Sequence, residues 1–272
     1  MTNTPPLFDQ TALRRHRAKA RRDALFLHDF ARDEVQDRIA MVNKSFTSVA
    51  IVTPFPEIWQ QDFPDAVMVA DTDTLDLPVA QFDLIIHAMC LHWADDPVGQ
   101  LIQCRRALKE DGLCLGLLLG GQTLSELRAV LSQAEATVTG GLSPRVSPMA
   151  EIRDLGGLLS RAGMSLTVAD SVPVNTTYRD MTHLMHDLRA MGETNALTGR
   201  LRQPTRRAVF DLASTLYRDH FATPDGRIPA SFEMICLTGW CPSDNQPKPL
   251  RPGSAQVRLA DALKVAETKL PD

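Results

Sequence analysis

Four short apolar runs, SVAIVT (48–53), AVMVAD (66–71), FDLIIHAM (82–89) and LCLGLLLG (113–120), recur through the first half of the chain, with helix-patterned segments after the first and the third. Each run is continuously apolar rather than alternating. That is the pattern of strands buried on both faces, and such strands belong to parallel sheets covered by helices on either side. The expected fold is therefore α/β, with a Rossmann-like, doubly wound and mostly parallel sheet. Further on, MSLTVADSVPV (164–174) and SFEMICLTGW (231–240) read as two more strands. Helical segments near 178–191 and 204–221 separate them, which predicts a terminal antiparallel hairpin carrying a helical insertion over about 175–225. VGQLIQCRRALKEDG (98–112) is expected to be a helix stopped by Gly112. TLSELRAVLSQAEA (123–136) is expected to be a helix opened by a capping box between Thr123 and Glu126.

The chain divides into a basic helical arm over 1–45, a main domain over 46–245 and a loosely ordered tail over 246–272 containing QPKPLRPGSAQ. In the first 22 residues Arg14, Arg15, Arg17, Lys19, Arg21 and Arg22 stand against Asp9 alone, although the whole chain has a net charge of −4. The acidic remainder repels phosphates, so no nucleic acid is expected as a partner. The arm suits either an acidic or anionic docking surface or a solvated helix face. No apolar run approaches the ~18 residues of a membrane span. MTNTPPLFDQ has no apolar signal core, so the expectation is a cytoplasmic chain with no transmembrane segment.

Cys90, Cys104, Cys114, Cys236 and Cys241 show no CxxC spacing and read as reduced, structural thiols. His87, Cys90, His92 and Trp93 cluster at the carboxyl end of the third strand, the edge where doubly wound folds hold their ligands. Neighbours along a strand point different ways, so no metal site is expected of them. His183 and His186, three apart on a helix, read as solvated or capping residues. No nucleophile elbow, Walker loop or HExxH occurs, which sets aside hydrolases and nucleotide phosphatases.

The series FDLIIHAMCLHWADDP, LKEDGLCLGLLLGGQTLSELR, GGLSPRVSPM, DLGGLLSRAGM, LMHDLRAMGETNA, YRDHFATPDGRIPASFEMICLTGW and RPGSA goes beyond fold. In that order it resembles the class I S-adenosylmethionine methyltransferase-like proteins that assist assembly of respiratory complex I. More distantly it is similar to the malonyl-acyl-carrier-protein methyltransferase of biotin synthesis. The resemblance runs from about residue 8 to 258. It implies a methyltransferase-like fold, S-adenosylmethionine as cofactor and a protein partner such as a complex I subunit. The family's mitochondrial member is credited with hydroxylating an arginine on such a subunit, so methyl-transfer ancestry does not guarantee methyl transfer.

The family's first strand ends in a D-x-G-x-G-type turn whose backbone approaches the cofactor. Here the turn is Thr53-Pro54-Phe55-Pro56. Two prolines remove two donors, and Phe55 brings a ring to where the methionine part of the cofactor would lie. The span from Val49 to Phe82 is short enough to predict that one βα unit is deleted. Asp71 is then the adenine-side acid, or Asp71 or Asp73 is the ribose acid; a plain turn role for Asp71 also fits. The cofactor candidates are Thr53, Asp71 and Thr72 with Met89, Leu91 and His92. Trp93 and Arg145, the latter in the SPRVSP loop, are the candidates for substrate or partner. A rigid surface loop with an exposed Arg145 is the alternative, and no catalytic residue or metal ligand is assigned. Two functions fit: a binding or assembly protein with a degenerate cofactor loop, and an enzyme that still uses S-adenosylmethionine.

Overall fold

Six strands form one sheet: β1 (Val49–Val52), β2 (Val67–Val69), β3 (Phe82–Ala88), β4 (Leu108–Leu119), β5 (Ser165–Tyr178) and β6 (Ile228–Trp240). Their spatial order is β2-β1-β3-β4-β6-β5. The first four run parallel, and β6 is antiparallel to both of its neighbours. This computed structural model describes residues 5–247, together with 257, 261, 262 and 264. The chain forms one unit over Met1–Pro242 and a second over Ser243–Asp272. RPGSA and nearly all of the tail expected over 246–272 lie outside the described residues.

The apolar runs are strands because both faces of each are covered. Along β3, Leu84 and Ile86 enter one cluster and Ile85 the other. The first cluster is closed by α2 (Phe26–Met41), α3 (Pro56–Trp59), α5 (Ser125–Thr139), α7 (Met181–Ala190) and α8 (Arg207–Phe221). The second is closed by α4 (Pro97–Ala107) and α6 (Ile152–Arg161). Each fully buried aliphatic side chain stabilises such an arrangement by about 1.5–3 kcal/mol.

Two local expectations are corrected. The helix expected to run to Gly112 ends at Ala107, and β4 begins at Leu108. Pairing of Leu108 with Phe82 draws the chain into the sheet, and the ladder resumes at Leu113 after a shift that leaves Asp111 at φ 57°. Sheet pairing here overrides a helical pattern that one strand cannot reveal. The capping box is also absent. Thr123 Oγ1 accepts from the Glu233 amide at 3.1 Å, and the Glu126 carboxylate accepts from Ser231 Oγ at 2.5 Å. Both side chains tie α5 to β6 instead of closing its first turn, and Leu124 precedes the helix at φ 53°.

The basic arm folds into the body. Its helix α1 (Gln10–Arg17) is capped by Asp9, which accepts from the Ala12 amide and pairs with Arg200 at 2.8 Å. Phe8 bridges to Leu197 and meets the Trp93 ring edge-on at 5.1 Å. Leu13 is buried, while Arg14, Arg15 and Lys19 face outward. Arg17, one turn after Leu13, shares its inward face.

Candidate functional site

Because β1 to β4 are parallel, their carboxyl ends meet at one edge. The chain leaves β1 toward β2 on one side and returns to β3 on the other, which makes this edge a topological switch point. Two cavities open there, one beside β1 and β2 and one beneath the late helices.

The first, about 760 Å³, is lined by Thr53, Pro54, Phe55, Asp71, Thr72 and, from the arm, Arg14 and Arg17, among others. Its turn and its acid are committed internally. The Thr53 amide donates to Val69 O at 2.9 Å, extending the ladder past β1. The Phe55 amide donates to Thr53 Oγ1 at 3.1 Å. Pro54 and Pro56 have no N–H, so the turn has no free backbone donor. Pro56 instead opens α3, where a missing donor costs nothing. The Asp71 carboxylate is held at 2.5 Å by Arg17 Nη1, with the two side chains 16% and 9% exposed. Arg17 Nε and Nη2 are buried with no hydrogen-bond partner. This turn does not fit S-adenosylmethionine in the usual manner, since the donors that would hold it are spent and the acid is taken.

Beneath this cavity lies a buried polar thread. His87 Nε2 meets Gln100 Oε1 at 2.7 Å, and Gln100 Nε2 donates to Thr72 O at 3.2 Å. Burial lowers the His87 pKa to about 4, so the ring is neutral near pH 7. His28, edge-on to Phe55 at 4.9 Å, is likewise lowered by burial to about 4. Burial also pushes the Cys90 thiol well up, leaving it an unreactive neighbour of His87. Among the described residues no group of three or more His, Cys, Asp or Glu could hold a metal ion. No helix there is long and apolar enough to cross a membrane.

The turn from Met89 to Trp93 separates the cavities without joining the first. Met89 sits at φ 56° with its amide on Leu117 O, and Met89 and Leu91 are buried in the core. His92 Nδ1 accepts from the Leu119 amide at 3.4 Å, which leaves Nε2 as the protonated nitrogen, 3.5 Å from Glu193 Oε2. Trp93 Nε1 donates to the same oxygen at 2.9 Å.

Trp93 and Glu193 line the second cavity, about 270 Å³, whose walls include Leu127 and Leu131 of α5, Met185 and Leu188 of α7, and Phe210 of α8. Arg145 lines it too, yet its guanidinium is already spent. It grips Glu135 at 2.6 and 3.0 Å and Thr205 at 2.8 Å. The exposed surface arginine that the loop allowed is therefore not found; the side chain is 16% exposed. The hydrogen bond from Arg145 is the main reason that the Glu135 pKa falls to about 2, with Ser143 adding to it.

Thus Thr53, Asp71 and Thr72 come together in one cavity, Trp93 and Arg145 in the other, and Met89, Leu91 and His92 line neither. Arg17 and Glu193 were missed. The spacing from Leu13 to Arg17 was the available signal for the first. For the second it was a lone acid in the apolar-flanked AMGETNAL segment after α7.

Residues 29–116 match the methyltransferase domain family. A curated relative from Danio rerio, "Arginine-hydroxylase NDUFAF5, mitochondrial", is 36% identical over 206 residues, 76% of this chain and 64% of that protein. The malonyl-[acyl-carrier protein] O-methyltransferase of Xylella fastidiosa (strain M23) is 34% identical over 180 residues, 66% of this chain and 59% of that one. The chain thus spans about three fifths of the length of these relatives. Among solved structures, the YcgJ protein from Bacillus subtilis aligns with a TM-score of 0.49 at 13% identity, over 79% of this chain and 100% of that chain. The Danio rerio protein is named as mitochondrial, which differs from the cytoplasmic expectation drawn from MTNTPPLFDQ.

Proposed function

Because the chain belongs to the methyltransferase-like family that this domain and these relatives define, we propose that it uses the fold mainly to bind a protein partner. The partner is an arginine-bearing segment, of the kind a complex I subunit offers, and the second cavity receives it. The cofactor loop is degenerate in this reading. The observation that carries it is the state of the first cavity: no free donor in the Thr53-to-Pro56 turn, and Asp71 held by Arg17. The arginine named for the Danio rerio relative supports the partner class. The position of β2 as the one strand beyond β1, among the described residues, supports the loss of a βα unit. Residence in the cytoplasm belongs to the same proposal.

Co-purification with arginine-bearing subunits tests it. Recovery that a Leu127→Asp change in the second cavity abolishes, in a protein still folded by circular dichroism, supports partner binding there. Recovery unaffected by that change removes the cavity from the proposal.

A second reading keeps an S-adenosylmethionine-dependent modifying enzyme, favoured by the convergence of Thr53, Asp71 and Thr72 on one cavity of about 760 Å³. In that case Asp71 contacts the cofactor once Arg17 withdraws. A ligand at a hundred times its Kd stabilises a fold by about 2.7 kcal/mol. A thermal shift with S-adenosylmethionine that Asp71→Ala abolishes supports the enzyme. No shift at millimolar ligand favours the binding protein.

A further inference from the structure

We propose that Glu193 is the specificity-determining residue of the second cavity, pairing with the guanidinium of an entering arginine side chain. This rests on the reading of that cavity as the partner site. Among the described residues Glu193 is the only acid in its lining, where the other charged groups are Arg145 and Arg189. Arg145 is neutralised by Glu135, and Arg189 is exposed. The Glu193 side chain is 12% exposed, and one of its oxygens, Oε2, takes the Trp93 donor at 2.9 Å and the long His92 contact at 3.5 Å. Oε1 accepts no hydrogen bond from any described residue.

The electrostatics keep this group charged. Burial opposes ionisation, but the nearby His92 Nε2–H and the positive charge of Arg17 outweigh it and hold the carboxyl below its ordinary range. Arg17 acts only at a distance, since its one hydrogen bond goes to Asp71. An ionised carboxylate with an unused oxygen, set among aliphatic and aromatic walls, is a poor arrangement for an isolated protein. It is a good one for a cation on an apolar stem, because the stem replaces water along Leu127, Met185 and Phe210 while the head reaches the acid. A guanidinium suits it better than an ammonium. It is planar, offers parallel donors to a carboxylate edge, and can lie against the Trp93 ring that lines the same cavity. Trp93 and His92 act as positioning residues. The Trp93 hydrogen bond fixes one oxygen of Glu193 and the His92 ring walls it on one side, and Phe8 and the backbone of Leu119 fix the two rings in turn.

The test is calorimetric titration of the full chain with acetyl-Gly-Arg-Gly-amide and with its citrulline counterpart, which has nearly the same shape and no charge. Arginine is expected to bind at least about tenfold more tightly, the scale of one charged hydrogen bond. In Glu193→Gln the two peptides should bind equally and weakly, while Met185→Leu, in the same cavity, should keep the preference. Equal binding of both peptides to the unaltered chain overturns the assignment without any variant having to fold. A preference that survives in Glu193→Gln overturns the role of Glu193 and leaves the partner site standing. Binding of neither peptide overturns the partner-site reading and this inference with it.

Discussion

The two cavities at the carboxyl edge of the sheet differ in what their polar groups have left to offer. In the first, the backbone donors of the turn are paired and Asp71 is held by one arm of Arg17, which leaves Arg17 Nε and Nη2 as the uncommitted groups. In the second, Arg145 and Glu135 are likewise consumed, but Glu193 keeps one oxygen free beside apolar walls. Cavity volume, at about 760 against 270 Å³, does not record that difference between spare donors in the first and a spare acceptor in the second. What a site can bind follows from the sign and geometry of its uncommitted groups more than from its size.

The comparison breaks most visibly at Asp71. Asp71→Ala strands a buried guanidinium and is expected to cost about 3–5 kcal/mol in urea denaturation, with Arg17→Met on the same background restoring most of it. A single variant as stable as the parent would mean that the ion pair does not close the first cavity.

Acid should separate the regions next. His28 and His87 beneath the first cavity have folded pKa values near 4, below the unfolded value of 6.5. The unfolded chain therefore binds protons first. Their contribution is complete above about pH 6.5 and is lost as the pH falls toward 4, on the order of 3 kcal/mol for each ring. Melting temperatures of His87→Gln against pH should be flatter across that window than those of the parent.

The second cavity should respond at lower pH and by less. Arg145→Ala leaves Glu135 with Ser143 alone and should cost about 1.5–2 kcal/mol near neutrality. Glu135 is lowered from 4.5 to about 2 in the fold, so the stability that it supplies is present above about pH 4.5 and lost as the pH falls toward 2. The deficit of Arg145→Ala should shrink over that range. A deficit independent of pH would detach the pair from the cavity's stability. The smallest effect belongs to His183→Ala with His186→Ala: both are exposed on α7, and the pair should stay within about 0.5 kcal/mol of the parent.

The sheet was legible because continuous apolar runs admit few environments; α3 carries the chain from β1 to β2 and α4 from β3 to β4, while no helix lies between β2 and β3. Where the reading went astray, at Gly112 and at Thr123, the deciding partner was a distant strand: β3 for the first, β6 for the second. Thr53, Asp71 and Thr72 could be anticipated because strand ends name the ligand edge. Met89 and Leu91 share that edge and yet point into the core, since the turn after β3 folds back on β4.

What the sequence determined by itself is the kind of sheet, the absence of glycine from the turn after β1 and the positions of its polar candidates, all of them local properties of spacing and residue type. Only the tertiary structure decided which candidates are spent. Arg17 reaches Asp71 across 54 positions, and Trp93 reaches Glu193 across 100. A charge's use depends on the partner and the dielectric that folding brings to it, and neither is written in its neighbours along the chain.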